Sequence, residues 1–164
     1  MRKMIVIEPE KCSGCRICEQ ICSLTTNRVG GSSKSAIRIL RWQMKGADIP
    51  VVCLQCEDPV CSNVCPLRAL VKDANSGIIK LDEEACIGCR LCSFACPIGA
   101  ISVDLDKGIA VKCDQCDGDP QCVKYCSSEA LRYLDYDKAV DALKRSKAHK
   151  ILEIIAPTSS VRVG

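Results

Sequence analysis

Residues 86–97 read Cys86-Ile87-Gly88-Cys89-Arg90-Leu91-Cys92-Ser93-Phe94-Ala95-Cys96-Pro97. Three cysteines crowd into one short loop, a fourth follows just beyond, and a proline stands behind it. Working outward, the same unit recurs as Cys12, Cys15, Cys18 and Cys22, as Cys53, Cys56, Cys61 and Cys65, and as Cys113, Cys116, Cys122 and Cys126. The second and fourth quartets are expanded between their second and third cysteines. Together the quartets use all sixteen cysteines of the 164-residue chain.

Four groups of four thiolates match four cubane [4Fe-4S] clusters, each needing four sulfur ligands. A disulfide scaffold would not repeat one spacing through the chain. Structural zinc sites usually pair two C-x2-C knuckles across a longer loop, whereas here three cysteines wrap one centre. Only five residues are aromatic (Trp42, Phe94, Tyr125, Tyr133 and Tyr136), too few for a conventional core. Clusters would supply the missing interior and couple folding to metal assembly, so the apo-protein is expected to be largely unfolded.

Charge is uneven. Residues 1–50 hold nine basic and four acidic groups, residues 51–136 eight and thirteen, and residues 137–164 six and three. A cube with four thiolates carries about −2, so four of them would take the formal +3 of the chain to about −5. Basic groups near a cube would favour its reduced form. They do not alternate with aromatics, which argues against nucleic acid as a partner. There is no run of ~20 apolar residues, hence no membrane span. Cys12 follows too soon for a secretory signal, and the expected location is cytoplasmic.

Three quartets share a turn behind the last cysteine: Cys65-Pro66-Leu67-Arg68-Ala69-Leu70, Cys96-Pro97-Ile98-Gly99-Ala100-Ile101 and Cys126-Ser127-Ser128-Glu129-Ala130-Leu131. A small residue there lets the backbone approach a cluster. Extended pieces are expected after each turn, at 71–73, 102–104 and 132–135, and before the cysteines at 4–7 and 78–81. Paired short strands, cysteine loops and one-turn helices make an α+β fold.

The first unit lacks this turn. Ser23-Leu24-Thr25-Thr26-Asn27 offers neither Pro nor Ala and is followed by Gly30-Gly31-Ser32-Ser33, and the whole stretch signals a loop. An insertion is expected over 23–50, containing a strand at Ile37-Arg38-Ile39-Leu40-Arg41-Trp42 with an exposed basic face. That strand either covers the core or offers a docking edge around Trp42. From Asp137, Val140, Leu143, Ala148, Ile151, Leu152 and Ile155 recur at helical spacing with Lys144, Arg145, Lys147 and Lys150 between them, ending at Pro157. Such a helix packs its stripe on its own domain or lies on a partner. The one histidine, His149, is expected at the surface.

In the bacterial ferredoxin pattern C-x2-C-x2-C-x3-C-P, the fourth cysteine ligates the other cluster of a pair. The third quartet has that form with Pro97, and the second keeps Pro66. Over about residues 4–135 the chain resembles the iron–sulfur subunits of the dimethyl sulfoxide reductase type, which serve molybdenum or tungsten pterin enzymes, formate dehydrogenases and some hydrogenases. The order of compact, expanded, compact and expanded quartets carries the resemblance.

The resemblance implies that the first quartet pairs with the last and the second with the third. One cluster would use Cys12, Cys15, Cys18 and Cys126, and its neighbour Cys113, Cys116, Cys122 and Cys22. A third would use Cys53, Cys56, Cys61 and Cys96, and a fourth Cys86, Cys89, Cys92 and Cys65. Two ferredoxin-like dicluster modules follow: 1–22 with 108–136, and 51–107 inserted within the first. The loop Asp117–Gln121 is shorter than is usual in this family. The compact chain resembles the small polyferredoxins that accompany tungsten-containing aldehyde oxidoreductases.

No proton-transfer or nucleophile constellation is present, so the expected role is non-catalytic. The chain is expected to relay single electrons to or from a catalytic molybdenum or tungsten pterin oxidoreductase, with a further redox subunit or a self-assembled filament as additional partners. The alternatives are a free-standing polyferredoxin and a subunit of a hydrogenase or formate dehydrogenase.

Overall fold

The computed structural model describes residues 2–28 and 30–144. It is built from short pieces: β1 (Lys3–Ile7), α1 (Ile17–Asn27), β2 (Arg38–Trp42), β3 (Ala47–Val51), α2 (Val60–Asn63), β4 (Leu70–Lys72), β5 (Ile79–Leu81), α3 (Leu91–Ala95), β6 (Ser102–Asp104), β7 (Ile109–Val111), α4 (Gln121–Lys124) and β8 (Leu131–Asp135). A further helix, α5, begins at residue 136 and is described as far as residue 144. Among the described residues the strands pair antiparallel two by two: β1 with β8, β2 with β3, β4 with β5 and β6 with β7. This is the expected small α+β architecture.

β1 meets β8 with Lys3 opposite Asp135 and Ile7 opposite Leu131, so the two ends of the cysteine-bearing region are joined. Met4, Ile5 and Val6 are all buried because both faces of this ribbon are covered. Ile5 packs into the main core among Cys18, Cys22, Cys53, Cys113 and Cys122. Met4 and Val6 face the other way, onto Ala139 of α5, which is 0% exposed. The tail thus begins by packing on its own domain. α5 starts at residue 136, one residue before the expected start, and Leu143 stays exposed. The rest of the expected stripe, and His149, lie outside the described residues.

A second core gathers Leu70, Ile79, Cys92, Ile101 and Ala110, with Cys61, Cys86 and Cys96 against it. Cys96 also packs against the first core. The two strands expected at 71–73 and 132–135 begin one residue earlier, at Leu70 and Leu131, whose buried side chains anchor them. Trp42, Tyr125 and Phe94 are 51%, 54% and 86% exposed, so these aromatics do not build the interior. Cysteines and small aliphatics do.

The chain repeats itself. A compact quartet, a hairpin and an expanded quartet occur in that order twice, once through β2–β3 and once through β6–β7. Matching residues share left-handed backbone: Arg16 (φ 59) and Arg90 (φ 68) before α1 and α3, Gln55 (φ 50) and Gln115 (φ 57) inside the expanded quartets. Such a conformation costs a non-glycine residue about 1 kcal/mol or more, and it clusters where surrounding structure demands it.

The first unit departs from the loop expectation. α1 continues past Cys22 to Asn27. Its Thr25 and Thr26 hydroxyls donate to the carbonyls of Ile21 and Cys22, both at 2.8 Å, so polar residues that usually signal a loop are satisfied inside the helix. Glu19 of α1, 2% exposed, accepts the Ile39 N–H at 2.6 Å and fastens β2 to the helix. Ile37 and Ile39 are buried, while Leu40, Arg41 and Trp42 are exposed. The strand covers the core with its first half, and its exposed second half is apolar as well as basic.

Candidate iron–sulfur sites

Each compact loop turns on a glycine in left-handed conformation, Gly14 (φ 70) or Gly88 (φ 62), between its first two cysteines. The turn brings three thiols to one side of the loop. The helix that follows carries the fourth cysteine away from them. The expanded quartets reach a similar result through Pro59 and Pro120, which stand immediately before α2 and α4.

Three cavities show which thiols the fold brings together. One is lined by Cys12, Cys15, Cys18 and Cys126, with Ile39 and Pro50 as walls. A second is lined by Cys22, Cys113, Cys116 and Cys122, with Ile5, Ile37 and Val52. A third is lined by Cys65, Cys86, Cys89 and Cys92, with Leu70, Leu81 and Ala110. Each holds three cysteines of one quartet and the last cysteine of another. Among the remaining four thiols, Cys53 and Cys96 lie near enough to Cys61 to act on it electrostatically, and Cys56 is exposed.

Burial dominates the chemistry of the inner thiols. It pushes Cys18 up to about 12 and Cys122 up to about 12, the latter helped by the charges of Cys22, Cys116 and Cys18. Cys113 is driven well above the ordinary thiol value, again first by burial. Burial likewise raises Cys61, Cys92 and Cys116. Thiols so placed are poor free nucleophiles. They become thiolates when a metal takes the proton's place.

Backbone N–H groups point at the sulfurs. Ala69 donates to Cys65 Sγ at 3.3 Å and Ala100 to Cys96 Sγ at 3.4 Å, which is what the small residue behind the second and third quartets makes room for. Ala36 donates to Cys22 Sγ at 3.4 Å and fills that place for the first quartet. Gln55 N–H reaches Cys53 Sγ, and Gln115 N–H reaches Cys113 Sγ, both at 3.4 Å; Ala110 N–H reaches Cys86 Sγ at 3.5 Å. Four thiols, apolar walls and amide donors to sulfur fit a [4Fe-4S] cube in each cavity.

Sequence reasoning passed over three residues. Gln55 and Gln115 are each 1% exposed, and Lys112 is 9% exposed. Gln55 Nε2 donates to the Cys113 carbonyl at 2.7 Å while its Oε1 accepts the Ile79 N–H at 3.0 Å, bridging the two cores. Tyr133 donates its hydroxyl to Gln115 Oε1 at 3.2 Å. The available signal was the repeated C-x-Q-C in Cys53-Leu54-Gln55-Cys56 and Cys113-Asp114-Gln115-Cys116. No helix among the described residues is long and apolar enough to cross a membrane.

Comparison with known proteins points to the same class of cofactor. A family model described as a 4Fe-4S dicluster domain matches residues 44–136. The polyferredoxin-like subunit of aliphatic sulfonate oxidoreductase from Pyrococcus furiosus is 42% identical over 125 residues, 76% of this chain and 72% of that protein. The beta subunit of NADH-dependent phenylglyoxylate dehydrogenase from Aromatoleum evansii is 37% identical over 134 residues; these are 79% of this chain but only 30% of that longer protein. Formate hydrogenlyase subunit 2 from Escherichia coli is 30% identical over 184 aligned positions, covering 90% of this chain and 89% of that one.

Proposed function

The chain belongs to the 4Fe-4S dicluster domain family, and from that membership we propose that it is a non-catalytic subunit passing single electrons through four [4Fe-4S] clusters to or from a catalytic oxidoreductase. The observation that carries this reading is the lining of the three cavities, each by three cysteines of one quartet and the fourth of another. The four ligand sets are Cys12, Cys15, Cys18 and Cys126; Cys22, Cys113, Cys116 and Cys122; Cys53, Cys56, Cys61 and Cys96; and Cys65, Cys86, Cys89 and Cys92. They form two dicluster modules, residues 51–107 lying within the module made by 1–22 and 108–136.

When bound, each cluster supplies a one-electron store at a potential that the protein tunes within roughly −700 to +450 mV. The chain's own residues do the tuning. The N–H groups of Ala36, Ala69, Ala100, Ala110, Gln55 and Gln115 donate to ligand sulfurs and favour added negative charge. Ile5, Ile37, Val52, Leu70 and Ile79 keep water from the inner thiols. The sets follow one another in space: Cys18 lies by Cys122, Cys113 by Cys53, and Cys96 packs on both cores. Cys15, Cys56 and Cys89 come to the surface, where electrons can enter or leave.

For the partner, a molybdenum or tungsten pterin oxidoreductase is the proposal, aldehyde oxidoreductase being the nearest type by compactness of the subunit. It is supported by the order of the quartets and by relatives named as subunits of oxidoreductases. Anaerobic purification from the native source tests it. About sixteen irons per chain are expected, with reduced-cluster EPR signals and a stoichiometric pterin-containing protein. A colourless, iron-free chain overturns the cluster reading. A fully loaded chain that purifies without a catalytic partner makes it a free-standing carrier, and one that purifies with a hydrogenase reassigns the partner.

A further inference from the structure

The two halves of the internal repeat differ at one buried position. The residue before Cys53 is Val52, 1% exposed; the residue before Cys113 is Lys112, 9% exposed. The Lys112 ammonium donates to the Cys113 carbonyl at 2.8 Å, the Ile79 carbonyl at 3.1 Å and Gln55 Oε1 at 3.3 Å. These oxygens come from both cores, so the side chain stands at the junction between them. Among the described residues no carboxylate pairs with it. A buried ammonium held only by neutral oxygens is costly unless negative charge stands nearby. Cys113 of one middle set bears one of these oxygens, and Gln55, which bears another, stands between Cys53 and Cys56 of the other set.

We propose that Lys112 is the fixed counter-charge between the two middle clusters, those of Cys22, Cys113, Cys116 and Cys122 and of Cys53, Cys56, Cys61 and Cys96, and that it raises their reduction potentials. This rests on the cluster reading above. Reducing a cube adds one negative charge, which a nearby ammonium shielded from water favours. Three acceptors fix the ammonium in place, with Gln55 held in turn by Cys113 and Ile79. Lys112 is therefore a positioning residue: it touches the ligand residues' backbone and acts on the clusters through its charge. Val52, at the matching place, supplies packing and no charge. The wire is thereby made electrically uneven at its centre.

The test uses the intact, anaerobically loaded chain as wild type and as Lys112→Met, Lys112→Gln and Lys112→Arg. Iron and sulfide are measured first, then each cluster's potential by EPR-monitored redox titration. In the Met and Gln variants, two of the four clusters should fall by at least tenfold in reduced-to-oxidised ratio at fixed poise, 59 mV for one electron. The other two should hold, and Arg should restore wild-type values. Full iron with unchanged potentials overturns the proposal, as does an equal shift of all four. If Met and Gln fail to load iron while Arg loads fully, the counter-charge is required for assembly and the proposal stands. If Arg fails too, the role is packing and the proposal falls. Absence of iron from the wild type would instead sink the cluster reading itself.

Discussion

The backbone N–H of Ala36 donates to Cys22 Sγ at 3.4 Å across a sequence separation of 14, whereas Ala69 and Ala100 reach Cys65 and Cys96 from a separation of 4. The first unit keeps the bond and lengthens the path to it. Hydrogen bonds to a charged group contribute about 1.5–3 kcal/mol. Ala36→Pro, which removes the donor, should lower the reduced-to-oxidised ratio of the cluster held by Cys22 about tenfold, while Ala36→Gly, which keeps it, should not. EPR redox titration reads both. Equal behaviour of the two variants would assign the site to packing.

Replacing the shared cysteines tests the exchange of ligands. Cys96→Ser should perturb the cluster of Cys53, Cys56 and Cys61 and leave the one held by Cys65, Cys86, Cys89 and Cys92 with all its ligands. Cys22→Ser should likewise spare the cluster of Cys12, Cys15, Cys18 and Cys126. Iron content and the number of reducible centres give the answer. Selective loss of the Cys86 cluster in Cys96→Ser would refute the pairing.

Two matching glycines should respond differently to alanine. A Cβ on Gly88 would come within 2.0 Å of the Gly108 carbonyl oxygen, which is backbone, whereas one on Gly14 would meet the Asp48 carboxylate at 2.2 Å, a side chain able to turn away. Both positions carry positive φ, so both variants are strained by about 1–3 kcal/mol. Gly88→Ala should lose more stability and shed iron first, measured by thermal melting at equal iron loading. A larger loss in Gly14→Ala would show that the β2–β3 hairpin is the stiffer cover.

Iron removal should collapse most of the fold, seen as loss of the strand signal in circular dichroism after anaerobic chelation. Whatever folded cluster-free population remains has a defined pH response. Burial holds Cys18 and Cys122 up to about 12 against an ordinary 9.0, so across that interval the folded chain keeps protons that the unfolded chain has lost. Its stability is then unaffected below pH 9 and falls as pH rises from 9.0 towards 12. In the loaded protein the sulfurs are ligated, and this slope should vanish. A chelated chain that melts cooperatively at the wild-type temperature contradicts the coupling.

Spacing alone made the cofactor class and the α+β architecture legible, because three thiols within one loop and a small residue behind the fourth are local requirements. Pairing between quartets came only through resemblance. It depends on β8 carrying Cys126 back to β1, a long-range event that leaves no local mark. β3 was missed since Asp48 and Pro50 interrupt its pattern; Pro50 lies opposite Ile39 in the pair, and Arg41 binds Asp48 at 3.0 Å. The continuation of α1 was hidden for the same kind of reason: threonines read as loop formers until their hydroxyls find carbonyls one turn back. Lys112 and the two glutamines looked like ordinary surface residues, and only burial distinguishes them.

The joining of β1 to β8 sets an order of manufacture. On a ribosome, Lys3 to Ile7 must wait for Leu131 to Asp135, and Cys12 for Cys126, until nearly all of the chain described here has been made. Cys65, Cys86, Cys89 and Cys92, with β4 to β7 around them, are complete as soon as residue 111 emerges. Clusters delivered during synthesis would therefore be enclosed from the middle of the polypeptide outward, and the earliest translated thiols would be the last to be sheltered.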